Sequence, residues 1–144
     1  MYQRILIAWD GSDVALRAFD AAIDLARRYE VELVAASVAY SPAHAETAGD
    51  RSESAAAAER YLRETFAEVR DRAERAGVDV EHVVIEGDEP AAALLDHCRE
   101  HAFDLLVVGH HRSNRAGRLL LRGVAHALLD HASVPVLVVT ENGR

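Results

Sequence analysis

The chain has 144 residues, half of them apolar, and 24 acidic against 16 basic side chains leave a formal net charge of −8. That is the length of one ordinary domain, so a second domain is not expected. An acidic, self-repelling surface argues against a general polyanion binder, so nucleic acid is not an expected partner. No apolar run approaches the roughly 20 residues needed to cross a bilayer, so no membrane insertion is expected. All the cationic residues are arginine, a bias that carries no function by itself. The single cysteine, Cys98, excludes an internal disulfide, and the chain enters a strand without a charged-then-apolar leader, so the expected location is cytoplasmic.

Apolar runs alternate with helical patterns, the signature of parallel βαβ units. Ile5–Trp9 reads as a compact apolar strand, and Asp10-Gly11-Ser12 turns it into a helix over about Ser12–Tyr29, capped by Ser12 or Asp10. Val14, Ala18, Ala22, Leu25 and Tyr29 recur at helical spacing and predict the face turned to the sheet. Val31–Val38 is the second strand. Tyr40–Ser54 is polar, small and broken by Pro42 and Gly49, which predicts a mobile loop. A helix over about Glu53–Ala76 presents Leu62, Phe66, Val69 and Ala73, with Gly77 at its C′ position. Val78–Glu86 is strand three. Gly87-Asp88-Glu89-Pro90 is a turn into a helix that ends near His101, with Ala91, Leu94, Leu95, Cys98 and Ala102 on its sheet side. Asp104–Val108 is strand four, Leu120–Ala132 the last helix and Pro135–Thr140 strand five. Near-continuous apolar strands need cover on both faces, which predicts an α/β domain of three layers with a five-stranded parallel sheet and two helices on each side.

A glycine closing a buried strand ahead of a helix is where open α/β sheets hold phosphates. Gly109 occupies that place, but Arg112, Arg115, Arg118 and Arg122 crowd the segment up to Gly123. Bare N–H groups cradle a phosphate only where no side chain blocks the approach. Either these arginines take the anion through their own guanidinium forks, or no nucleotide binds.

Asp10 after strand one, the Gly109 end of strand four, Leu119-Leu120-Leu121 ahead of a helix, and the closing stretch from His131 through Val139 together resemble the universal stress protein family over essentially the whole chain. The resemblance implies a flavodoxin-like, Rossmann-like sheet of order 3-2-1-4-5, stress-linked expression and a homodimer. Nucleotide-binding members share a phosphate motif of Gly, two residues, Gly, nine residues, Gly, then Ser or Thr. Here these positions are Gly109, Arg112, Arg122 and Gly123, so only the first fits, and the serine often found two residues later is Ala125. Gly109-His110-His111 is similar instead to the branch that lacks ATP binding. If ATP or AMP binds all the same, the expected contacts are Asp10, Val38, Gly109 and Gly123, with Arg112, Arg118 or Arg122 taking over phosphate capture from the lost glycines, and the resemblance implies Asp10 near base and ribose. A carboxylate at a helix N-terminus is also stabilised there without any ligand. Trp9 points to the opposite face from Asp10 and reads as a core aromatic.

Histidines do not converge into a metal site: His97 and His101 lie on a helix flank with no third partner, and adjacent His110 and His111 point apart. His131 complements the C-terminus of the last helix. No Gly-x-Ser-x-Gly elbow and no second aspartate two residues after Asp10 is present, so no catalytic residue is assigned and an enzyme is unsupported, with weak nucleotide hydrolysis the remaining catalytic alternative. Strand five is apolar on both faces and, under the implied order, lies at a sheet edge with no lysine or internal proline to blunt it. Pro135, Val136, Leu137, Val138, Val139 and Thr140 are therefore the expected homodimer interface. The leading expectation is a dimeric stress-response or signalling module without conventional ATP binding and with no bound cofactor. A client or signalling partner is implied but not identified.

Overall fold

The computed structural model describes residues 2–40, 48–111 and 123–141, with side chains for all of these but 40 and 48–52. The elements follow in the order β1 (Arg4–Ala8), α1 (Asp13–Tyr29), β2 (Glu32–Tyr40), α2 (Ala48–Arg75), β3 (Val80–Gly87), α3 (Pro90–Glu100), β4 (Leu105–His110), α4 (Val124–His131) and β5 (Val136–Thr140). The five strands form one sheet of order β3-β2-β1-β4-β5, and every pairing is parallel. This is the α/β architecture that the alternation of apolar strands and helices dictates.

Strand alternation divides the core in two. Ile5, Ile7, Trp9, Leu33, Ala35, Leu105 and Val107 pack under α1 and α2 with Phe19, Ile23 and Phe66. Leu6, Ala8, Val34, Val38, Leu106 and Val108 pack on the other face with Leu94, Cys98, Phe103 and Leu128. Each helix therefore presents one stripe, and each central strand is apolar on both sides. Trp9 is a core residue as read from its strand position: it is buried, its ring meets Phe19 and Phe66 edge-on, and its indole N–H donates to Thr65 Oγ1 at 3.1 Å.

Helix ends match their local chemistry. Ser12 caps α1 by accepting from the Ala15 N–H. At the end of α2 the Gly77 N–H bonds Glu74 O and the Val78 N–H bonds Ala73 O, the paired bonds of a Schellman motif. Pro90 opens α3 at a position where a missing N–H costs nothing.

Several expectations need correction. The buried face of α1 is wider than the stripe read from sequence: Ala15, Phe19, Ile23 and Ala26 are buried, whereas Tyr29, at the helix end beyond the sheet, is 58% exposed. Ala102 is not on a helix face, because α3 stops at Glu100 and Ala102 is exposed in a left-handed turn. The loop expected over Tyr40–Ser54 is shorter. Tyr40 ends β2, and α2 already runs from Ala48, because the alanine- and glutamate-rich stretch behind Gly49 favours helix enough to carry a glycine in the first turn. The rest of that loop, 41–47, lies outside the described residues. α4 begins at Val124 rather than about Leu120, since Gly123 takes a left-handed conformation (φ 74°) at its N-cap.

Candidate functional site

In a sheet of this order the strands are laid down outward in opposite directions from β1 and β4, and ligands of open α/β sheets bind outside the carboxyl ends of the strands at that switch point. The pairing of Ile7 with Val107 brings the residues after Ala8 beside those after Val108. Two features of the sequence meet there: the Asp10-Gly11-Ser12 turn and the Gly109-His110-His111 strand end. Val38 lies two residues beyond the Ala8–Ala36 pair on β2, level with Asp10 and fully buried.

Asp10 is the central side chain. Its carboxylate has no solvent exposure, yet it is fully engaged. Oδ1 accepts from the Ser12 N–H at 2.9 Å and from the Ser12 hydroxyl at 2.5 Å, while Oδ2 faces His111 Nε2 at 3.3 Å. The His111 side chain is only 4% exposed, and its other ring nitrogen, Nδ1, stands 3.6 Å from Glu141 Oε1 at the end of β5. An imidazole thus lies between two carboxylates and ties together the ends of β1, β4 and β5.

The electrostatics follow from that packing. Burial on its own pushes the Asp10 carboxyl upward, but the bonds from His111 and Ser12 outweigh it and hold the carboxyl below its ordinary value. The bond to Asp10 lifts His111 above the usual histidine value against its own desolvation, and Glu141 adds to the lift. A neutral imidazole donates from one nitrogen only. The imidazolium donates toward both acids, so this arrangement favours the charged ring.

Ser12 Oγ also lies 3.4 Å from His111 Nε2, which places a hydroxyl, an imidazole and a carboxylate in sequence. The hydroxyl proton, however, is directed to Asp10, and the oxygen accepts from the Ala15 N–H as a helix cap. A nucleophile would need that proton on the imidazole. The cluster is built to hold Asp10, not to activate Ser12.

Gly109 has a packing role that its place in the sequence does not reveal. A Cβ built there would stand 2.8 Å from Val14 O and 3.0 Å from Val14 C, so α1 crosses β4 against bare backbone. Among the described residues nothing stands within 4 Å of a Cβ at Gly123, and its requirement is conformational, through its positive φ. Arg112, Arg118 and Arg122 lie outside the described residues. Among the described residues no group of three or more acids, histidines or cysteines converges on a metal position. His97 stacks on Phe103 and meets His101 at a tilt, with ring centroids 4.2 Å apart.

Of the sequence-predicted contacts, Asp10, Val38 and Gly109 come together at the switch point. His111 enters the sequence reading only through the Gly-His-His run and as a histidine that does not converge on a metal, and Glu141 does not enter it. The usable signal was the parallel register, which sets a strand-four end directly beside Asp10 and makes any polar residue there a partner. A second histidine, His82 on β3, was also missed. It stacks on Phe66 with ring centroids 4.3 Å apart, and its Nε2 lies 2.9 Å from Ser37 Oγ, which itself donates to Trp9 O. Burial, with Arg63 and Arg70 nearby, pushes His82 down to about 4.

Pro135 precedes β5, and Val136–Thr140 form the strand at the edge of the sheet, bonded to β4 on one side. Their side chains are half-buried except Leu137, which is 37% exposed, and Leu129 on neighbouring α4 is 62% exposed. Arg17 of α1 pins the end of the strand by donating from Nε to Thr140 O at 3.2 Å.

Comparison with known proteins agrees with this architecture. The model of the universal stress protein family matches residues 1–140. The chain is 35% identical to the universal stress protein Rv1636 of Mycobacterium tuberculosis over 147 residues, covering 96% of each. Among solved structures, a universal stress protein family member from Burkholderia pseudomallei superposes with a TM-score of 0.77 at 31% identity, covering 96% of each chain. A universal stress protein crystallised in complex with cAMP superposes with a TM-score of 0.73 at 30% identity, covering 98% of each chain. With a family match over nearly the whole length and a relative 35% identical across 96% of each chain, the chain belongs to the universal stress protein family.

Proposed function

We propose that this chain is a cytoplasmic, homodimeric stress-response or signalling module that does not bind ATP in the conventional way. The observation that carries the reading is the open edge of the sheet. Among the described residues β5 has a strand on one side only, and its valines and Leu137 remain partly exposed. An apolar edge of this kind templates another strand, and pairing across a twofold axis leaves no new edge open. Pro135 through Thr140 supply that surface, and exposed Leu129 of α4 extends it. The absence of conventional ATP binding follows from the phosphate motif, where Arg112, Arg122 and Gly123 stand in place of two glycines and a hydroxyl. It is supported by Asp10, whose carboxylate is occupied by Ser12 and His111.

A second reading keeps nucleotide binding, with AMP or ATP held through Arg112, Arg118 or Arg122. The cAMP complex of a relative at 30% identity favours it. Sedimentation velocity tests the first reading. The wild type runs as a dimer at micromolar concentration, and Leu137→Arg, which sets a charge on the exposed face of the edge strand, runs as a monomer with unchanged circular dichroism. A wild type that stays monomeric up to about 100 μM, some hundredfold above the concentration of a useful micromolar dimer, contradicts it.

A further inference from the structure

We propose that His111 is an internal gate at the carboxyl end of the sheet: its imidazole occupies Asp10 in place of the ribose hydroxyls of a nucleotide, and such a ligand is held only when the ring has moved off. The proposal rests on the second reading above, that a nucleotide binds, with its ribose beside Asp10 as the family resemblance implies.

The geometry leaves one exchangeable position. Both bonds to Asp10 Oδ1 come from Ser12, two residues along the chain in the turn that starts α1, and cannot leave without unmaking the helix cap. Oδ2 is held by His111 Nε2, at 3.3 Å the longest contact of the carboxylate, from a strand end at the margin of the fold. A buried carboxylate oxygen stripped of its donor is costly, so the imidazole is released only in exchange for another donor. Vicinal ribose hydroxyls are donors of the right kind.

The second anchor of the gate sets its response. Glu141 Oε1 lies 3.6 Å from Nδ1, so the charged ring bridges two acids and the neutral ring donates toward one. The groups that face His111 among the described residues are Asp10 and Ser12 from the β1–α1 turn and Glu141 from the end of β5. Its neighbour on β4, His110, turns instead to His126 of α4, with ring centroids 5.2 Å apart. The hold is therefore tightest at low pH and loosens as the ring loses its proton. Because Glu141 follows Thr140 directly, opening the gate also frees a contact at the end of the edge strand.

The test is isothermal titration with AMP at pH 6 and pH 8, using wild type, His111→Ala and His111→Gln, with 2′,3′-dideoxy-AMP as the ligand lacking the hydroxyls. The gate predicts that His111→Ala binds AMP about 10- to 100-fold tighter than wild type at pH 6, the worth of one charge-assisted hydrogen bond. The gap narrows at pH 8, and dideoxy-AMP shows no gain. Equal or weaker AMP binding by both variants overturns the gate. If neither wild type nor variants bind AMP, the gate fails while the reading as a dimeric module without nucleotide stands. If wild type binds as tightly as His111→Ala at both pH values, both fail. Should the substitutions disturb folding, the imidazole titration of the wild type, followed by NMR, decides: its midpoint lies above that of a free histidine and falls back in Asp10→Asn, and a midpoint at or below the free value overturns the gate.

Discussion

Gly109 is the residue where a family motif and a packing constraint compete for the explanation, and replacing it with alanine separates them. The added methyl would lie 2.8 Å from Val14 O, 3.0 Å from Val14 C and 3.1 Å from Val14 Cγ1. Two of these atoms belong to the backbone of α1, which cannot rotate aside, so the helix must move off the sheet or the strand must bend. Overpacking of that kind costs about 1–3 kcal/mol. For a domain of this length each kcal/mol lowers Tm by roughly 2–4 °C, so Gly109→Ala melts about 2–12 °C below wild type. Gly123→Ala is the internal comparison: its methyl meets none of the described residues within 4 Å, and the positive φ opposes it at about 1 kcal/mol. Urea unfolding followed by the fluorescence of buried Trp9 reads both variants. A Gly109→Ala protein within 0.5 kcal/mol of wild type, or more stable than Gly123→Ala, would refute the close approach of α1 to β4.

Phe66 is 1% exposed between Trp9, Phe19 and His82, so Phe66→Ala should lose about 3–5 kcal/mol in the same assay; a loss under 1 kcal/mol contradicts the packing of α2 on the sheet. His82, lowered from its ordinary value to about 4, contributes stability that is complete above the unfolded value near 6.5 and is lost as pH falls from there toward 4. Discounted for partial exposure to solvent, that loss is about 1–2 kcal/mol. It shows as a shallower pH dependence in His82→Gln than in wild type, and parallel profiles would contradict it. The Asp10–His111 pair has the opposite slope at its upper end. The lowered Asp10 adds stability above the ordinary carboxyl range, and the raised His111 adds stability that fades as pH rises through its folded value. Asp10→Asn therefore destabilises most between about pH 4 and 6.5, which urea midpoints at pH 5 and 9 would reveal.

The fold was legible because its signals are strong and repeated. Ile5–Trp9, Val31–Val38 and Leu105–Val108 are apolar on both faces, which only a sheet covered on both sides satisfies, and Gly77 and Pro90 mark helix ends by chemistry that acts within a few residues. The misses have equally local causes. The α1 stripe was traced along one ridge, so Phe19 and Ile23 on the adjacent ridge went unread, and Tyr29 was carried past the last turn that touches the sheet. Gly49 and Pro42 suggested a longer loop than a helix starting at Ala48 permits. At the site, Asp10 and Gly109 were readable from their places at strand ends. The role of His111 was not, since its partners Asp10 and Glu141 stand about a hundred residues before it and thirty residues after it along the chain, and only the β1–β4–β5 register brings them together. The reason for Gly109 was hidden in the same way, because nothing in the sequence reports how closely α1 approaches β4.

Thermal unfolding of the purified chain against increasing ATP with magnesium tests the central claim most directly. A conventional site with a Kd near 10 μM would add about 2.7 kcal/mol at about 1 mM ligand and raise Tm by roughly 5–11 °C, growing with concentration. With Asp10 held by Ser12 and His111 and the phosphate glycines replaced by arginines, the predicted result is a Tm that stays within about 1 °C of the ligand-free value, less than a tenfold excess over Kd would give. A concentration-dependent rise of several degrees would contradict the account.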